Sequence, residues 1–236
     1  MVSVSSESVT PSWGVRDIVL GSVSYGAIFV LLLGSVRLVT WYEFIIPNEL
    51  KPIVNGLVTL LLEALLLLPV WFFAIVWTGG TWRAVGFRRV GVAHGCWLPC
   101  LFLFVAYGIT ILWGLVLLWM QWPRQSPLVP LFRDNPIAIA LGVMAVCVAA
   151  PIGEETFFRG FVMGGLRARI GMLQALFVSA AFFALLHLPI TLFPAIFGLG
   201  LLLGSLFAHT NSLWPGIILH ATFNTIGFVA QFVLVR

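Results

Sequence analysis

Apolar residues fall along this chain in runs of about twenty, separated by short polar breaks. Runs of that length cross a hydrocarbon layer of roughly 30 Å at 1.5 Å per residue, so each predicts a membrane-spanning helix. They cover Ile18 to Leu38, Gly56 to Trp77, Trp97 to Trp119, Ile137 to Ile152, Met172 to Leu188, Phe193 to Ala208 and Gly216 to Val235. Pro151 and Gly153 interrupt the fourth run, so either one long tilted helix continues through Glu154 or a new segment starts there. The expectation is an all-α, polytopic membrane helix bundle of seven to eight transmembrane helices. A β-barrel is disfavoured because the runs are continuous rather than alternating.

Composition agrees with the pattern. The 236 residues are 61% hydrophobic and 8% charged, with a mean hydropathy of +1.11. Soluble domains carry about 25% charged residues. The net charge of +4 raises the possibility of nucleic-acid binding, but the basic residues lie between runs. Arg83, Arg88 and Arg89 form the main cluster, as the positive-inside bias produces. No nucleic-acid partner is therefore expected. Placing this cluster on the cytoplasmic side puts the N-terminus and the Arg167/Arg169 end there too. The Ser-rich leader before Ile18 lacks a basic region, so no cleaved signal peptide is expected. Cys96, Cys100 and Cys147 form no disulfide framework, and His94 with Cys96 and Cys100 lacks a fourth metal ligand.

Two halves are expected within one structural domain: helices and loops over 1–135, and a polar-bearing helical core over 136–236. A proline-rich segment from Gln121 to Pro136 joins them. Most of the chemistry-bearing residues lie in the second half. Glu154 and Glu155 are the only carboxylate side chains after Asp134, and nothing between Arg169 and Arg236 is charged apart from histidine. A charge at mid-bilayer costs roughly 2.5–3.5 kcal/mol on insertion scales, so it seldom occurs without a task. On a helix Glu155 and Arg159 stand at i and i+4 and can pair, leaving Glu154 turned about 100° away toward a cavity. His187 and His220 fall inside apolar runs, one turn from Phe183 and Asn224 respectively. His94 and His209 sit at helix ends, where exposure or capping explains them. Glu63, near the start of the second run, reads first as a side chain reaching for the interface.

Two histidines, an asparagine and a glutamate pair in a charge-poor half form one polar pocket, since each alone would be unsatisfied in hydrocarbon. No Gly-x-Ser-x-Gly elbow and no His-Glu-x-x-His helix occurs. A glutamate with two histidines is a sufficient ligand set for catalytic zinc. Without metal, the same set suits a glutamate and a histidine that together deprotonate water, with the other histidine and Asn224 donating to an oxyanion. Straight spans would not bring Glu154, His187 and His220 to one depth, so a tilt, a break or a half-span is required.

Glu154-Glu155-x-x-x-Arg159, Phe183-x-x-x-His187 and His220-x-x-x-Asn224, in this order in successive apolar helices, resemble the CPBP family. That family holds the type II CAAX prenyl endopeptidases and the Abi-type bacteriocin-processing proteins. The resemblance covers about residues 137–230 and includes the turn Asn211-Ser212-Leu213-Trp214-Pro215. It implies an intramembrane endopeptidase in which Glu154 and His187 activate water and His220 and Asn224 stabilise the oxyanion. Glu155, Arg159 and Phe183 would be positioning residues. The expected mechanism is metal-free and without a resident cofactor, with a zinc-dependent one as the alternative. The expected partners are the lipid bilayer and a membrane-associated peptide or protein, prenylated or not. Two rival readings are a non-catalytic scaffold of the same fold and a small proton-coupled transporter, the latter without inverted repeats to support it.

Overall fold

The computed structural model describes residues 11–38, 46–91, 95, 97–122, 132, 135–187 and 189–234. His94, Cys96 and most of the proline-rich segment lie outside these, so the expectations placed there are not taken further. Among the described residues eight helices make up the bundle: α1 Val15–Leu38, α2 Lys51–Trp77, α3 Trp82–Val85, α4 Leu98–Trp119, α5 Pro136–Ile170, α6 Met172–Leu185, α7 Phe193–Thr210 and α8 Trp214–Leu234. Among the described residues there is no strand. Six of the helices are long and apolar enough to cross a membrane. The protein is an integral, multi-pass membrane protein.

The fourth and fifth runs depart from simple spans. α5 runs unbroken for 35 residues. Pro151 has no N–H to donate and would break an ordinary helix interior. Here wide, i→i+5 turns occupy Met144–Ala149 before it and Glu155–Met163 after it, re-aiming the helix instead of ending it. Asn135 starts α5, its Oδ1 accepting from Ile137 N at 2.9 Å and Ala138 N at 3.2 Å, with Pro136 at the first helical position. Gly171, at φ 83°, ends it in a conformation that favours glycine.

α6 is shorter than its apolar run. At 14 residues it rises about 21 Å, less than the hydrocarbon thickness of roughly 30 Å, so the helix falls short of the predicted span Met172 to Leu188. The chain turns just beyond it, and α7 packs back along α6. The indole of Trp113 on α4 holds this turn by donating to Thr191 O at 2.7 Å.

α5 and α7 are the most enclosed of the long helices, whereas α1 and α4 keep most of their surface outward. The largest core cluster surrounds α5 and includes Trp13, Phe157, Phe158, Phe161 and Phe183. Trp13 belongs to the leader that the sequence presents as polar, yet it is 0% exposed. Its Nε1 donates to Phe161 O at 2.8 Å. At one end of the bundle the Arg-bearing loop is tied to the α7–α8 turn. Leu213 N donates to Gly86 O at 2.9 Å, and Ser212 Oγ to Arg88 O at 2.7 Å. Arg167 reaches Asn211 Oδ1 at 2.7 Å, so the two arginine groups occupy the same side, as charge bias predicts.

Candidate active site

Glu154 lies near the middle of α5, and α6 ends just before His187. The short α6 and the wide turns of α5 are the departures from straight spans that let these residues meet. His187 Nε2 stands 3.8 Å from Glu154 Oε1, and His220 Nε2 on α8 stands 3.6 Å from Glu154 Oε2. Both separations exceed a direct hydrogen bond and suit a bridging water. Oε2 is buried and has no hydrogen-bond partner among the described residues. A buried carboxylate oxygen left so costs about 1–3 kcal/mol or more, a cost a fold rarely retains without use.

The ring of His187 has a defined tautomer when neutral. Its Nδ1 is 2.7 Å from Phe183 O, and a carbonyl oxygen can only accept, so Nδ1 carries the proton. Nε2 is then a lone pair facing Glu154. His220 is oriented from its other side: Nδ1 lies 3.2 Å from Glu155 Oε1. Each histidine therefore has one nitrogen held by the fold and one turned to Glu154.

Glu155 and Arg159 form the expected i, i+4 pair at 3.0 Å, with both side chains only 1% exposed. Arg159 also donates through Nη2 to Gly200 O at 3.2 Å, and its guanidinium lies 4.4 Å from the Phe183 ring centroid. Phe183 in turn packs on His187 and His220, with ring centroids 4.4 and 5.9 Å apart. This one phenyl ring packs against Arg159 of the pair and against both histidines. Asn224, one turn beyond His220, uses Nδ2 to donate to Val146 O on α5 at 2.9 Å. That leaves the amide's second N–H beyond this bond.

Several supporting residues carry no sequence signal of their own. Gly216 is required because a Cβ there would come 2.8 Å from Glu155 Oε2. Ser179 ties α6 to α5 through Phe158 O at 2.8 Å. Glu63 lies on α2 where that helix meets α5: a Cβ at Gly153, the residue before Glu154, would come 2.8 Å from Glu63 O. The first half of the chain therefore packs against the segment that carries Glu154. Cys100 is exposed and Cys147 buried, neither in a disulfide. His209 is exposed at the end of α7, as expected.

Comparison with known proteins bears on the region that builds this centre. Residues 136–226 match the model of a family described as type II CAAX prenyl endopeptidase Rce1-like. The resemblance to CAAX-type membrane proteases holds over these residues, which carry α5 through most of α8. The chain is also 26% identical over 113 residues to the Bacillus subtilis (strain 168) protein named "Putative membrane peptidase YdiL". That match takes in 48% of this chain and 46% of the relative, so less than half of the curated relative's length is spanned. No solved structure matches the chain.

Proposed function

We propose that this protein is a metal-free intramembrane endopeptidase that cleaves a membrane-associated peptide or protein. The observation that carries the reading is Glu154, with a histidine nitrogen facing each of its oxygens and one oxygen buried without a partner. A water between Glu154 and His187 donates one O–H to the carboxylate and the other to the Nε2 lone pair. Both groups are acceptors at this point, which suits them to hold and deprotonate the same nucleophile.

Attack on the scissile carbonyl places negative charge on its oxygen. In its doubly protonated form His220 has a donor on each nitrogen, Nδ1–H for Glu155 and Nε2–H for the oxyanion. Asn224 adds its second amide N–H. Collapse of the tetrahedral intermediate breaks the C–N bond, and the nitrogen takes the proton that Glu154 removed from water. Glu155, Arg159 and Phe183 act by holding His220, His187 and α5 in register. The family likeness supports peptides delivered at the membrane as substrates, with a prenylated C-terminal segment as one candidate class.

The test is cleavage of a prenylated C-terminal peptide and of a pool of unmodified membrane peptides by the detergent-purified chain. Glu154→Gln and His187→Ala should each lower the rate at least about 100-fold, the usual worth of general-base catalysis, and a chelator should leave the wild type active. Chelator loss restored by zinc moves the mechanism to a metal-dependent one. Full activity in both variants removes the glutamate mechanism, and unimpaired cellular function in both favours a scaffold.

A further inference from the structure

Near the C-terminal end of α5, distant stretches of the chain bring arginines to one point. Arg167 on α5 donates from Nη1 to Asn211 Oδ1 at 2.7 Å. The next residue of that turn, Ser212, donates its Oγ to Arg88 O at 2.7 Å. Arg88 in turn folds its Nε back onto Arg83 O at 2.7 Å. Arg83, Arg88 and Arg167 are therefore fixed around the α7–α8 turn, the first exposed and the other two half-buried. Among the described residues no carboxylate pairs with any of the three.

Like charges held together repel, and guanidinium groups withdrawn from water lose hydration. The bonds just named go to neutral oxygens, so they satisfy donors without balancing charge. Each guanidinium has five N–H donors, and most of those on Arg88 and Arg167 remain for a ligand. An orientation bias needs basic residues on one side of the membrane, but it does not need them tied to a single turn. Aromatic groups stand next to the cluster. Trp82 and Trp214 are exposed, and Phe87 packs edge-on against both, at 5.8 and 5.7 Å between centroids. Tryptophans of this kind mark the headgroup level of a bilayer. A cleft of about 260 Å³ opens beside them, lined by Leu67, Trp82, Phe87 and Ile152. Unbalanced positive charge beside an apolar cleft fits an anionic amphiphile.

We propose that this end of the bundle binds an anionic phospholipid: its phosphate accepts from the guanidinium groups of Arg88 and Arg167, Arg83 adds positive charge, and an acyl chain enters the cleft lined by Trp82 and Phe87. Phosphate oxygens accept from guanidinium in paired, charge-assisted bonds, and they supply the negative charge that the cluster lacks. A net-anionic headgroup fits better than a zwitterionic one, whose ammonium would face three arginines. A soluble phosphate would leave the cleft empty, so the cleft selects lipid. The proposal is independent of the hydrolytic reading above.

The test titrates the full-length protein in detergent, at constant salt, with short-chain phosphatidylglycerol and with phosphatidylcholine of the same chains, read by calorimetry. Wild type should bind the anionic lipid at least about tenfold more tightly, as expected for two or three arginines at a headgroup. The double variant Arg88→Gln/Arg167→Gln should bring the two lipids within about twofold of each other, since the charge that separates them is removed. Arg16→Gln distinguishes a site from a diffuse positive field. Arg16 is exposed at the same end, where a Cβ at Gly14 would lie 2.6 Å from Arg169 Nη1, and its removal should leave the preference unchanged. Glycerophosphoglycerol, the headgroup without chains, should bind at least about tenfold more weakly than the lipid, because nothing then fills the cleft. Equal affinities for the two lipids in the wild type overturn the proposal whether or not a variant folds. A full preference persisting in the double variant, or one lost equally in Arg16→Gln, overturns it as well. A chain-free headgroup that binds as tightly as the lipid overturns the lipid assignment in favour of a soluble phosphate ester.

Discussion

Removing Arg159 should be among the costliest single changes in this protein. The side chain is buried and serves three neighbours at once: Glu155 at 3.0 Å, Gly200 O at 3.2 Å and the face of Phe183. Arg159→Met keeps much of the apolar volume but leaves Glu155 buried with only the ring of His220. Breaking a buried ion pair from one side costs about 3–5 kcal/mol, mostly the penalty of the stranded charge. Glu155→Gln strands the guanidinium and should cost a similar amount. The double variant strands neither, so its cost should fall well below the sum, with a coupling energy of about 2–3 kcal/mol. Equilibrium unfolding in mixed detergent and SDS micelles, followed by tryptophan fluorescence, measures all three. The double variant should also be inactive although folded, because the Glu155 carboxylate that holds His220 Nδ1 is gone. Strict additivity of the two single variants would refute the argument that the pair is one energetic unit.

Two further changes probe the supports of the site. Gly153→Ala forces a methyl to within 2.8 Å of Glu63 O, so it should destabilise by about 1–3 kcal/mol. Trp13→Ala empties a fully buried site and breaks the bond to Phe161 O. Its cost should be about 3–5 kcal/mol in the same unfolding assay, and a change below 1 kcal/mol would show that the leader packs independently of α5.

The class of fold was legible because hydrocarbon imposes length and polarity limits that a linear sequence records directly. The Glu155–Arg159 pair was legible too, since i, i+4 spacing fixes adjacency on any helix. So was the gathering of Glu154, His187 and His220, because isolated polar groups in apolar runs have few places to go. The path of α5 through Pro151 was not. Whether a proline breaks a helix depends on how neighbouring turns absorb the lost bond, and the wide turns at Met144–Ala149 and Glu155–Met163 have no simple sequence signature. The α2–α5 crossing at Gly153, where Glu63 O is the close backbone contact, was not legible either, because it is a long-range contact. Trp13 shows the same limit, since one buried indole inside a polar stretch is invisible to averaging.

A helix that rises only about 21 Å is shorter than a hydrocarbon slab of roughly 30 Å, and local thinning of the lipid is one way a bilayer accommodates such a mismatch. The backbone beyond α6 is secured in part by Trp113, which donates to Thr191 O, and acyl chains would offer no hydrogen bonds to what is left over. A bilayer that thinned beside α6 would bring headgroups and solvent toward this end of the helix. His187, whose side chain is 32% exposed, stands at that end. The hydrolysis proposed above would consume water inside a membrane, and a short α6 offers a route by which that water would reach His187 and Glu154.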